Sequence, residues 1–518
     1  MLLIWMGLAQ ADSAIATLRV DDTGVALVRV VAAPGKVVSR TAGDLEILAA
    51  DGSILATAAV PMDVRRAGII HPEGGGAHVE LDAAYARVAI EWPDGARSLR
   101  LGSARVGLSV APPSDPVVAV DVDGPLDERI DILYLGDGYT IDELELWRSD
   151  VDRLSTDLLT REPYASYSGL VSVWRVDAAS AESGASHYDA GQDIEKDTAY
   201  GCYYGCSGTD RLVCCDDDAV VAAIDSSLPA ADMTVVLVND STYGGMGSPT
   251  YCTTYTGTYS DEVQVHELGH HFMELWDEYS YGYAYGGSGA GANCSSESDG
   301  STWSQWLDVE GIGAFTPCSY TDWHSPTNGD CLMYTLYKDF CPVCKEHGLV
   351  VMYEHLSELV VDTIPEDEAT LEIGEEQVFT ATVLGPDDDS MVLSWTLDGA
   401  DAGSDSELSV TCEDLVSHEI ILSVSDPTAI VRLDTDGALT DTHTWTLTCI
   451  EAEGPIDTGP QESDPPIDTS VVDSDPVADS TPPAATPPPF EPEPRCGCGG
   501  GVALAPWLLA LLVIRRRR

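Results

Sequence analysis

Positive charge is scarce in this chain. Across 518 residues, 25 Lys and Arg stand against 87 Asp and Glu, for a net charge of −62 and a pI near 4.1. Binding to a phosphate backbone needs cations, so this balance excludes nucleic acid as a partner. The acidic residues are spread through the chain and read as a solvated surface. No complete calcium loop is present; Asp216-Asp217-Asp218 is a candidate Ca²⁺ position without the motif. A long apolar span is also missing: the C-terminal run Val502 to Ile514 has thirteen residues, against about 20 for a helix that crosses a bilayer. No basic residue precedes the N-terminal run Leu2 to Leu8, although Ala9-Gln10-Ala11 has the small-x-small form of a leader cleavage site. Cys341-Pro-Val-Cys344 has no second Cys-x-x-Cys to complete a paired zinc knuckle, so disulfides to other cysteines are expected there, with Cys294 and Cys318 as partners.

Fourteen cysteines are present, many in local clusters, which favours an oxidising compartment. Residues 15–112 alternate apolar and polar side chains in short runs such as Val25 to Val31 and Ala86 to Trp92, which predicts an N-terminal β-sandwich. The Pro-rich stretch Ala111 to Pro116 marks a boundary. Residues 128–356 mix buried strands (Ile130 to Leu135, Val171 to Val176, Met233 to Val238) with an amphipathic helix over Glu143 to Leu154. Within this segment Cys202, Cys206, Cys214 and Cys215 are expected to cross-link an insert rich in Gly and Tyr. Alternation returns over 365–450, where Trp395, Cys412 and Cys449 suggest an immunoglobulin-like β-sandwich with its own disulfide. Residues 453–494 are rich in Pro, Asp, Thr and Ser and read as an extended linker. The fold expected is therefore multidomain α+β, an α/β domain flanked by two sandwiches.

The chemistry concentrates at His266-Glu267-Leu-Gly-His270. Residues four apart share one face of a helix, so the two imidazoles can meet at one metal ion. Glu267 lies about 100° round the helix from His266, beside that ion, where a carboxylate can take a proton from water. A catalytic zinc needs a third protein ligand and one open position. Asp277 is seven residues past His270, about 10 Å further along an unbroken helix, so it can serve only if the helix ends or bends between Phe272 and Trp276. Glu278 and Glu274 are the rivals, and Glu274 ranks last because three ligands on one straight helix strain the geometry.

These residues lie in a longer pattern. His266-Glu-x-x-His270 followed by Leu275-x-Asp277-Glu278-Tyr279 resembles the IgA-peptidase family of zinc metalloproteases. So do Asp131 to Thr140, Ser180 to Gly184, Thr198 to Cys202, Arg211-Leu212, Val238 to Gly245, Cys331-Leu-Met333-Tyr and Phe340 to Cys344. They occur in order over about 128 to 350. The resemblance implies a metzincin-like fold, a tight turn carrying Met333 beneath the metal, and an edge strand near Tyr243 to Gly247 along which an extended substrate pairs. The departure is Met273-Glu274, where that family has small residues.

The resemblance further implies a zinc endopeptidase with one catalytic Zn²⁺ on His266, His270 and Asp277, Glu267 as general base, and Tyr279 as hydrogen-bond support. Its partner is a protein or peptide substrate. Arg495-Cys496-Gly-Cys498, the apolar run and Arg515 to Arg518 resemble the surface-sorting tails of some Gram-negative, myxobacterial-type proteins, implying contact with membrane and sorting machinery and a cell-surface location. The rival from another class is a surface adhesion or scaffold protein whose middle domain is inert.

Overall fold

The computed structural model describes residues 13–33, 43–60, 66–70, 76–109, 116–122, 124–126 and 128–452, without the side chains of 66–69, 77 and 78. The expected leader at 1–11, the boundary at 111–115, the linker at 453–494 and the tail at 495–518 lie outside the described residues.

A six-stranded sheet organises the middle of the chain. Its order is Val117–Asp121, Val171–Val176, Ile130–Asp137, Met233–Val238, Cys252–Tyr255 and Gly245–Gly247. The four inner strands run parallel, and the two outer ones are antiparallel to their neighbours. A parallel sheet buries both faces, which is why Ile130–Asp137 and Met233–Val238 are buried at every position. Alternation along Ile130–Asp137 sends Ile132 and Tyr134 to one side and Leu133 and Leu135 to the other. The first side receives helices α1 (Leu144–Leu158) and α3 (Ser260–His271) through Trp147, Val151, Val263 and Leu268, the second receives α2 (Asp217–Ser227) through Val220 and Ile224. Helix α4 (Pro342–Glu354) joins the α1 and α3 side with Leu349 and Met352.

Asp216 caps α2 by accepting from the Asp218 and Ala219 N–H groups, while Asp217 and Asp218 accept from the hydroxyls of Tyr251 and Tyr85. The three consecutive acids thus have structural partners. Before the central sheet, the sheets Gly24–Ala32/Ser13–Asp21/Ala83–Glu91 and Ile54–Ala58/Leu45–Ala49/Ala96–Leu101/Ala104–Gly107 share one core that includes Leu18, Val30, Ile47 and Leu99. Asp225 on α2 pairs with Arg29 and Arg87 of the first of these sheets.

After α4 come a three-stranded sheet (Val360–Ile364, Glu376–Val383, Glu407–Thr411) and a five-stranded one (Glu368–Glu372, Thr440–Ile450, Ser417–Ser425, Val392–Leu397, Ala400–Gly403). Trp395 and Trp445 stack between them, and the Cys412–Cys449 disulfide ties the two sheets. Their core is continuous with that of the central sheet; Asp426 accepts from both Tyr167 and Tyr353. The protein is β-rich with few helices. Among the described residues no helix is long and apolar enough to cross a membrane.

The cysteine clusters behave partly as expected. Cys202–Cys215 and Cys206–Cys214 cross-link the insert. Cys294 and Cys318, however, bond to each other and not to Cys341 or Cys344, which carry free thiols. The correction has a physical reason: Cys294 and Cys318 flank the backbone of Asp277, with Sγ atoms 3.6 Å from its carbonyl oxygen, whereas Cys341 and Cys344 begin α4 on another side of the same loop.

Candidate metal centre

Helix α3 carries His266 and His270 one turn apart, with ring centroids separated by 4.8 Å. Each ring uses its Nδ1 to donate to a backbone carbonyl: His266 to Leu332 at 3.0 Å and His270 to Leu275 at 2.7 Å. That fixes the ring orientation and leaves both Nε2 atoms as the lone-pair nitrogens. Both point at one atom, Oδ1 of Asp277, at 3.2 Å and 3.1 Å.

The condition for Asp277 to get there is met. Helix α3 ends at His271, with Phe272 N–H still bonded to Leu268 O. Leu275 N–H then reaches back to Gly269 O, and Glu274 turns the chain with φ of 52°. A left-handed residue at a helix end is the usual way to reverse direction, though normally it is glycine. Met273 does not obstruct the turn: its side chain is buried against Gly348 of α4, where an added Cβ would lie 2.6 Å from its sulfur.

The two rivals of Asp277 go elsewhere. Glu274 is exposed. Glu278 points away from the imidazoles, toward Asn293, Thr327 and Cys344. Tyr281 donates its hydroxyl to Asp277 Oδ2 at 3.0 Å, and Tyr279, its ring against that of Tyr281, is buried beside Asp277 as well. Ser319 supplies an N–H and a hydroxyl to the Asp277 carbonyl. Tyr281, Ser319 and the carbonyls of Leu332 and Leu275 carried no sequence signal of their own.

Glu267 is fully buried, with an oxygen within 4.8 Å of the two ring nitrogens, and no side chain donates to it. A buried carboxylate left so marks a place for something other than protein. The edge strand Gly245–Gly247 presses against it. A Cβ on Gly247 would lie 2.7 Å from His270 Cβ and 3.0 Å from Glu267 Oε2, so only glycine fits. Below the helix, a Cβ on Gly269 would meet the Met333 sulfur at 2.9 Å, which places the Cys331 to Tyr334 turn under the two histidines.

Burial dominates the electrostatics. It pushes the Glu267 carboxyl up to about 8, with the Asp277 charge adding to the shift and His270 opposing it. Burial alone would depress His270, but Asp277 outweighs it and raises the imidazole to about 9. His266 is lowered by burial. Asp277 is buried too, yet the two imidazoles hold it well below the usual carboxylate range.

The donor set fits a metal ion. Four ligands at about 2.0–2.2 Å in a tetrahedron lie about 3.4 Å from one another, close to the two N···O separations here. Nitrogen, nitrogen and carboxylate oxygen suit zinc among the common divalent ions.

Residues 118–307 match the family model for IgA Peptidase M64. No curated protein matches the chain. Among solved structures, a quinoprotein alcohol dehydrogenase-like protein from Bacteroides thetaiotaomicron is similar at 13% identity, over 16% of this chain and 18% of its own, with a TM-score of 0.13. The endo-β-1,4-mannanase from Thermotoga petrophila is similar at 10% identity, over 62% of this chain and 65% of its own, with a TM-score of 0.13. The chain thus spans less than two thirds of either, and likenesses this low carry no argument. His266, His270, Glu267, Asp277 and the edge strand all fall within the span that matches this peptidase family.

Proposed function

We propose that the protein is a zinc-dependent endopeptidase. The observation that carries this reading is the convergence of two correctly oriented Nε2 atoms and one carboxylate oxygen beside a buried Glu267 to which no side chain donates. His266, His270 and Asp277 would hold the ion, which when bound supplies Lewis-acid polarisation and lowers the proton affinity of water. Leu332 and Leu275 keep the imidazoles in the metal-binding tautomer, and Tyr281 keeps Asp277 turned toward them. Glu267 takes the proton of the attacking water on a carboxylate oxygen and delivers it to the leaving amine. The Gly245–Gly247 strand offers backbone to an extended peptide on the Glu267 side of α3.

The substrate class is protein, and a surface location is part of the proposal. Four disulfides in the folded chain support an oxidising compartment. Anchoring by the C-terminal tail rests on the sequence pattern alone. The test is Glu267→Gln in the full chain, measured by bound metal and by cleavage of an unstructured protein such as casein. The variant should keep its metal and lose nearly all cleavage; wild-type cleavage by this variant would end the assignment.

A further inference from the structure

One cluster of ligating side chains lies outside the centre described above. Glu278, Cys331, Cys341 and Cys344 are all buried, with ligand atoms within 4.8 Å of one another. None of the three thiols is in a disulfide. Their separations are informative: Cys331 Sγ lies 3.7 Å and Cys341 Sγ 3.6 Å from Cys344 Sγ, which lies 3.5 Å from Glu278 Oε1. In a tetrahedral zinc site with Zn–S bonds near 2.3 Å, sulfurs lie about 3.8 Å apart, and sulfur to carboxylate oxygen is about 3.6 Å. The three separations from Cys344 match the edges of such a tetrahedron, and the other three are no longer than 4.8 Å.

The charge argument agrees. Glu278 is met by neutral groups, the Asn293 amide at 3.3 Å, the Thr327 hydroxyl at 3.1 Å and the Cys344 thiol. A carboxylate this far out of water is neutralised by a proton or compensated by a cation. Cys341 immediately precedes the thirteen-residue helix α4 and Cys344 lies in its first turn, so both sulfurs sit at the N-terminal end of that helix. Cys341 N–H also donates to Cys331 Sγ at 3.4 Å.

We propose that Cys331, Cys341, Cys344 and Glu278 bind a second, structural zinc ion. All four positions are filled by protein, so the site is closed and carries no reacting water. It ties together three segments that frame the first centre: the loop after Asp277, the turn whose Leu332 carbonyl orients His266, and the start of α4. Three of its four residues lie beyond the span matched by the family model.

The test uses the full chain, purified without chelator, with metal alone as the probe. Wild type should carry two zinc ions per chain. Cobalt-exchanged protein should show a thiolate-to-cobalt charge-transfer band, retained in His266→Ala/His270→Ala and lost in Cys344→Ser. The band therefore reports on this site whether or not the first centre binds metal. Because Cys344→Ser can also fail to fold, Cys344→His is the companion: histidine ligates zinc, so this variant should return to two ions. A wild-type chain with no charge-transfer band, or peptide mapping that finds a disulfide joining any two of Cys331, Cys341 and Cys344, overturns the proposal.

Discussion

Asp277 and Glu278 are neighbours in the chain and opposites in their surroundings. Asp277 turns toward two imidazoles beside a carboxylate that no side chain satisfies; Glu278 turns toward three buried thiols. The two side chains leave the backbone in different directions, so one loop feeds two clusters. The first cluster has nitrogen and oxygen donors, three of them converging, which leaves a fourth coordination position to a non-protein group. The second has three sulfur donors and one carboxylate, four protein groups in all. The number of donors already present, and not their proximity to each other, separates a place for chemistry from a place for cross-linking.

The strongest effect should come from the unsatisfied side of the pair. Glu267→Gln should lower kcat by about 10²–10⁴-fold with metal content unchanged, measured by casein digestion and elemental analysis of the same sample. A parallel loss of metal would mean that Glu267 is a ligand and not a base. Next is the brace behind the loop. Removing the Cys294–Cys318 disulfide with paired serines should cost about 2–4 kcal/mol in chemical denaturation, because these cysteines flank the Asp277 carbonyl. An unchanged denaturation midpoint would show that the loop is held by other contacts.

Tyr281→Phe removes one hydrogen bond to Asp277 and leaves the ring in place. Loss of such an outer partner should cost about 10–100-fold in metal affinity or activity, read by competition with a chelator. Equal affinity in the variant would separate Tyr281 from the centre.

The weakest effect lies outside both clusters. His187 sits between Asp189 and Asp240, at 2.8 Å and 3.1 Å. Burial disfavours its charged form, but the hydrogen bonds and charges of the two acids outweigh burial and raise its pKa. A raised folded-state pKa gives stability that is complete below the unfolded value of about 6.5 and fades as pH rises through the folded one. The Tm difference between wild type and His187→Gln should therefore shrink on going from pH 6 to higher pH. A difference independent of pH would mean the ring contributes only its stacking on Tyr204.

Much of the architecture was legible because it is local. Val171–Val176 and Met233–Val238 form as strands where runs of β-branched residues predict them, and α1 covers the amphipathic stretch that begins near Glu143. The disulfides of the insert followed from cysteines that are close in sequence. The expectation for Cys341 and Cys344 failed for the opposite reason. Which cysteine meets which across the 278–344 region depends on the path of three loops, and no local preference encodes that path. The contact of Tyr281 with Asp277 was hidden for the same cause, since the path of the loop brings them together.

Local sequence was enough to put His266 and His270 on a shared face with Glu267 beside it, because a helix of 3.6 residues per turn fixes these relations within five residues. It also limited the third group to a few acids after a break in the helix. Packing over long range decided that Asp277 turns inward and Glu278 toward the thiols, and that a carbonyl from Leu332 orients His266. Those outcomes depend on segments tens of residues apart meeting under one helix, and contacts of that range are set by the close fit of the whole core.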